Sequence, residues 1–256
     1  SYATVVLNRH HYEKQLIGRT TYTLDVTDQL KDGYNDLNVI VEHPSNQMES
    51  PWVCGGCSSE WGFSEGSQPF GIFRPLSLIE TDEVRIEPFG VHVWNNETCD
   101  SVYVDTEVHN YGGEETKIQL VSKMNLADGK TFFRQSFDLL LKAGESQVVR
   151  QAVAITAPHR WNLDDPYLYQ LVSMIKRGEN TTDEETTPYG IRSVSWPALR
   201  QDGDPCFYIN GKKTFINGTC EYEHLFGGSH AFSHEQVASR IKMVRQAGFN
   251  AFREAH

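Results

Sequence analysis

Long apolar runs are missing from this chain, and stretches such as Leu139-Leu140-Leu141 are far below the ~20 residues a membrane helix needs. Basic residues are also in short supply. Lys+Arg number 23 against 34 Asp+Glu, for a net charge of -11, and no basic stripe interrupts the acidic balance. That excludes the electrostatic footprint of a nucleic-acid partner and reads mainly as solubility. No secretory leader precedes the first strand pattern, and the chain reads as starting inside a domain. No cluster of metal ligands is visible, so no metal or cofactor is expected.

Cysteines are few and odd in number: Cys54, Cys57, Cys99, Cys206 and Cys220. Complete internal pairing is therefore impossible. Cys54-Gly55-Gly56-Cys57 has metal or redox spacing, but no second pair of cysteines or histidines accompanies it. The two glycines favour a loop over the helix start that a redox pair requires. Structural or incidental thiols are the leading reading, with a local disulfide, a metal and a redox pair as alternatives. The triplets at Asn96, Asn180 and Asn217 fit glycosylation acceptors, a pattern common by chance.

What the chain does have is material for a core, with 39% hydrophobic and 11% aromatic residues. Alternation of apolar and polar residues runs through Val5 and Leu7, through Tyr22, Leu24 and Val26, and through Leu37, Val39 and Val41. Residues 52–73 are rich in glycine, serine and aromatics without period, a long loop that leads into a strand at Ile72–Ile79. Long loops of this kind are often functional. From Val84 a second set begins, at 91–94, 102–108, 117–121, 133–137, 147–153 and 167–172, with a turn at Asn110-Tyr111-Gly112-Gly113. Short strands at this spacing predict an immunoglobulin-like sandwich without the Cys…Trp…Cys core of antibody domains.

The last forty residues change character. Asn210-Gly211 centres a hairpin. Ser233-His234-Glu235-Gln236 has the form of a capping box. Val237, Ile241 and Val244 share a helix face, Gly248 suits the helix stop, and Phe249–Arg253 returns to strand. Strand, helix and strand in this order predict a right-handed parallel crossover. Such a unit cannot bury both faces of a parallel sheet, so it reads as the opening of a larger α/β barrel.

Four stretches together resemble glycoside hydrolase family 2, the group of β-galactosidases, β-glucuronidases and β-mannosidases. They are Gly71-Ile72-Phe73-Arg74-Pro75-Leu76, Trp161-Asn162-Leu163-Asp164-Asp165-Pro166-Tyr167-Leu168-Tyr169, Tyr189-Gly190-Ile191-Arg192 and Asn250-Ala251-Phe252-Arg253-Glu254-Ala255-His256. The first looks like the closing strand of a jelly roll, the next two like the end and exit of the sandwich, and the last like half of the family's barrel signature. The resemblance implies a mainly β chain in three parts: residues 1–83 from a partial jelly-roll sandwich, 84–196 as the immunoglobulin-like domain, and 197–256 as the first strand-helix-strand of a truncated (β/α)8 barrel. Jelly-roll strands are expected before Ser1, and most of the barrel after His256.

The activity so implied is that of a retaining exo-β-glycosidase of β-galactosidase type, acting on oligo- or polysaccharide through a covalent glycosyl-enzyme. Such enzymes use two carboxylates ~5–5.5 Å apart. The family order sets both glutamates beyond residue 256, so no catalytic residue is expected here and residues 1–256 alone are expected to be inactive. The resemblance makes His256, Glu223, His224 and Arg253 the substrate-binding residues. An imidazole both donates and accepts, which suits sugar hydroxyls. Arg253, pointing into a barrel, is expected to pair with carboxylates there and so to tune the nucleophile as much as to touch substrate. Trp52, Trp61 and Phe63 could stack on sugars or pack between domains. Two departures, Glu254 for a small residue and Cys220-Glu221-Tyr222-Glu223-His224 for a more basic loop, leave the sugar open. β-Glucuronidase and β-mannosidase are therefore alternatives. So is a non-catalytic carbohydrate-binding module, which explains residues 1–196 but not the capped helix and final strand. By family habit the enzyme would be periplasmic or secreted, with a cytoplasmic location and a homo-oligomer as further options.

Overall fold

The computed structural model describes residues 2–16, 20–42, 71–196, 206–222 and 232–255. The chain is mainly β and forms two units, Ser1–Ser77 with Asn217–His256, and Leu78–Ile216.

In the first unit, β1 (Tyr2–Leu7) pairs antiparallel with β2 (His10–His11) and β3 (Leu37–Glu42). The β1–β2 turn holds Asn8 and Arg9 at φ 50 and 72, the left-handed pair a two-residue hairpin needs. Asn8 then bonds Gln29 and Asn35 through Nδ2. Two expected strands do not form. Residues 22–26 lead into a 3-10 turn at Thr27–Gln29, where Asp25 Oδ1 accepts from both the backbone N–H and the hydroxyl of Thr27. That local carboxylate offers the backbone an alternative to a ladder. Residues 72–79 join no sheet, and Ile72, Leu76, Leu78 and Ile79 are all exposed. Pro75 cannot donate to a ladder. Arg74 instead lies over the Phe232 ring, 4.2 Å from its centroid.

The second unit is the sandwich. One sheet has the order β4 (Val84–Asn95), β5 (Ser101–Asn110), β8 (Ser146–Ala154). The other has the order β10 (Asn180–Tyr189), β9 (Tyr169–Arg177), β6 (Thr116–Asn125), β7 (Thr131–Leu141). All pairings are antiparallel. Alternation fixes which side chains enter the core. On β5, Val102, Val104 and Val108 are buried while Tyr103, Asp105 and Glu107 face outward. No disulfide is needed, because two apolar clusters, one around Met124, Tyr169 and Leu171 and one around Leu120, Leu141 and Ile175, join the sheets.

Strand β10 was not legible as a strand. It reads Asn-Thr-Thr-Asp-Glu-Glu-Thr-Thr-Pro-Tyr and is an edge, where polar residues and Pro188 are tolerated. Burial, then the charge of Asp183, raises the Glu185 carboxyl above its ordinary value. A raised carboxyl binds its proton more tightly in the folded state. Its contribution is therefore fully present below the unfolded value and lost as pH rises through the folded one. Glu185→Gln is expected to melt slightly higher than the parent at pH 7, with the gap closing below about pH 4. Melting curves at both pH values check this, and an equal gap at each would contradict it.

The two sandwich motifs of the sequence form one joint. The Trp161 N–H donates to Ile191 O (2.9 Å), Gly190 lies against the indole, and the Arg192 guanidinium sits 5.1 Å from the ring centroid. Asn95 Oδ1 accepts from the Tyr189 hydroxyl and the Arg192 N–H, and Asn95 Nδ2 donates to Arg192 O. The joint extends into a small sheet of β11 (Val194–Ser195), β12 (Phe207–Ile209) and β13 (Lys212–Thr214). The β12–β13 turn places Asn210 at φ 51. Its amide donates to Trp161 O (2.9 Å) and accepts from the Ser193 N–H (3.0 Å).

Candidate functional site

The site expected from the sequence lies at the ends of β14 (Gly218–Tyr222) and β15 (Ala251–Ala255), joined by α1 (His234–Gln246). Ser233 caps α1 by accepting from Gln236 N, while Gln236 Oε1 accepts from Ser233 N (2.8 Å). Gly248 takes φ +90 and stops the helix, as its place after Ala247 predicts. The chain then runs back parallel to β14, in register from Gly218 opposite Ala251 to Tyr222 opposite Ala255. A parallel pair joined by a helix is the crossover that the sequence implied. It is also what a stand-alone β-sandwich module leaves unexplained. Among the described residues there is no closed barrel.

The start of the crossover is fastened by two asparagines that sequence reasoning did not single out. Asn250 Oδ1 accepts from Asn217 N (2.8 Å), Asn217 Nδ2 donates to Gly248 O (3.1 Å), and Asn250 N donates to Asn217 O (2.9 Å). This fixes the strand starts so that their other ends come level. Gly218 allows the close approach, since a Cβ there would stand 3.3 Å from that of Ala251. The signal was present in the asparagines placed just before each strand. Asn217 also opens a glycosylation triplet, and its amide is committed to this fastening.

Of the expected substrate residues, Arg253 is in β15, directly opposite Cys220 in β14. It is exposed, and its Nη1 donates to Cys220 Sγ at 3.2 Å. A thiol is a weak acceptor, so this contact orients the guanidinium more than it neutralises it. The register also sets Glu221 opposite Glu254, two acidic residues at neighbouring strand ends. Glu223, His224 and His256 lie outside the described residues, as do Cys54, Cys57, Trp52, Trp61 and Phe63. No group of three or more metal-ligating side chains occurs among the described residues. No helix among them is long and apolar enough to cross a membrane.

Comparison with known proteins adds to this geometry. Residues 84–192, the sandwich with its exit motif, match the family model described as Glycosyl hydrolases family 2. The chain is 27% identical over 243 residues to the β-galactosidase BoGH2A of Bacteroides ovatus, a match that covers 93% of the chain and 26% of that protein. It is 25% identical over 273 residues to a β-glucuronidase of Bacteroides fragilis, covering 100% of the chain and 36% of that protein. A crystal structure of a glycosyl hydrolase family 2 member from Bacteroides cellulosilyticus superposes with a TM-score of 0.81 at 25% identity, over 99% of this chain and 33% of that one. The chain thus spans about a quarter to a third of the length of these relatives.

Proposed function

Because this chain belongs to glycosyl hydrolase family 2, we propose that the protein carrying it is a retaining exo-β-glycosidase of β-galactosidase type. It would release terminal β-linked sugars from oligo- or polysaccharide through a covalent glycosyl-enzyme. The observation that carries this reading is the order of parts: the family sandwich at 84–192, then a parallel strand-helix-strand whose last strand is Ala251–Ala255. In that order residues 1–83, 84–196 and 197–256 serve as jelly-roll, immunoglobulin-like and opening barrel segments. Arg253 then stands at the mouth of a barrel strand, where this architecture keeps its chemistry. His256, Glu223 and His224 are assigned to sugar hydroxyls and Arg253 to positioning the site. Neither catalytic glutamate is assigned to residues 1–256. A periplasmic or secreted location belongs to the same reading.

β-Glucuronidase is the second reading. It is favoured by the match to the Bacteroides fragilis β-glucuronidase over the whole chain. The test is to assay the product of the whole gene on nitrophenyl β-galactoside and β-glucuronide. A preference of at least about tenfold in kcat/KM for the galactoside is expected. The reverse order selects the second reading, and turnover of neither defeats both. Residues 1–256 alone, free of host enzyme, are expected to turn over neither. Activity there would overturn the placement of the glutamates.

A further inference from the structure

The sandwich core is apolar on both sides of one level and polar at that level. Val104 and Val108 flank Thr106 on β5, and Val149 and Val153 flank Gln151 on β8. Leu120 and Met124 flank Ser122 on β6, and Leu171 and Ile175 flank Ser173 on β9. Each flanking pair contributes one residue to each apolar cluster, so the polar residues form the layer between them. The registers align that layer. Ser122 stands opposite Ser173 and Gln135, and Ser173 opposite Glu185. Thr106 and Gln151 are diagonal neighbours, since Val104 pairs with Gln151 and Thr106 with Val149.

Thr106, Ser122 and Ser173 are fully buried, and Gln151 is 2% exposed. Gln151 Nε2 donates to Ser122 Oγ across the sandwich at 2.8 Å. The rest of the layer is unpaired. Thr106 Oγ1, Gln151 Oε1, Ser173 Oγ and Gln135 Oε1 are buried without a protein partner. An orphan of this kind bears the full desolvation penalty of its group, and several in one layer of an otherwise well-formed core point to a common partner. Their bonding capacities are complementary. The Thr106 and Ser173 hydroxyls can donate, and Gln151 Oε1 can only accept. An internal water makes about three such bonds.

We propose that this layer is an internal hydration site, in which one water bonded to Thr106, Gln151 and Ser173 links the two sheets between the apolar clusters. Half-buried Glu185 on the edge strand ends the polar row and gives water a polar way in. The layer also fixes register, because a slip of two residues on any of the four strands would press a polar side chain into an apolar cluster.

Two measurements on the protein test this. A crystal structure that shows ordered solvent should place a water within ~2.7–3.2 Å of Gln151 Oε1 and of the Thr106 or Ser173 hydroxyl. Oxygen-17 water relaxation dispersion should count one fewer long-residence water in Thr106→Val/Ser173→Ala than in the parent. Should that double variant not fold, the crystal structure decides alone. Gln151 Oε1 bonded directly to a hydroxyl with no water present, or an unchanged count in the folded variant, would overturn the proposal.

Discussion

Asn110→Ala is expected to destabilise the sandwich unit by about 3 kcal/mol. Asn110 is fully buried at the end of β5. Its Nδ2 serves three carbonyls, Glu114 O at 2.9 Å, Leu141 O at 3.1 Å and Lys142 O at 3.0 Å, and its Oδ1 accepts from Gly112 N at 2.9 Å. One side chain thus joins the β5–β6 turn to the end of β7. Alanine removes every bond, takes the amide donor from Leu141 O in the core and leaves the buried Gly112 N–H without its acceptor, which costs more than the bonds themselves contribute. For a unit of this size the melting point should fall on the order of 10 °C. Asn110→Asp separates packing from donation. It keeps the volume but points oxygen at three carbonyl oxygens, so it too should melt well below the parent. Wild-type melting of the aspartate variant would show that the amide donor is unimportant.

Gly190→Ala ranks next, at about 2–3 kcal/mol. An added Cβ would meet Trp161 Cδ1 at 2.9 Å and Trp161 Cβ and Cγ at 3.0 Å. The indole cannot withdraw freely. The backbone of Trp161 is bonded to Ile191 on one side and to the Asn210 amide on the other, and the Arg192 guanidinium lies over its ring. Relief must come from moving the exit strand, Trp161, or both. Thermal melting of the unit is the measurement, and a fall of less than about 1 °C would mean that the joint yields without cost. In a double-mutant cycle Gly190→Ala should cost less in a Trp161→Ala background than in the parent, which overlap with the ring atoms Cγ and Cδ1 requires and a backbone effect at residue 190 does not.

These two positions show what could be read from residues alone. Asn110-Tyr111-Gly112-Gly113 is legible as a turn from its composition, and the structure places it between β5 and β6. Nothing local marks Asn110 as a buried hub, because its acceptors lie up to 32 residues away. Trp161 and Gly190 are legible as parts of two family motifs. That they touch depends on how β9 and β10 return the chain to its own entry. The crossover shows the same division. The capping box and Gly248 are local chemistry and the sequence suffices for them. The choice of Cys220 as the partner of Arg253 follows from register, which the fastening of Asn217 to Asn250 sets from the other end of the strands.

Sequence alone determined the mainly β class, the place of the sandwich, the capped helix, the parallel return and the family, because periodicity, caps and short motifs are written within a few residues of one another. Tertiary structure alone decided that 22–26 and 72–79 are not strands and that the polar run at 180–189 is one. It alone assembled Thr106, Ser122, Gln151 and Ser173 into a single layer. Each of these depends on which backbone lies alongside, and a strand's partner is chosen by burial and register over long sequence distances rather than by its own residues.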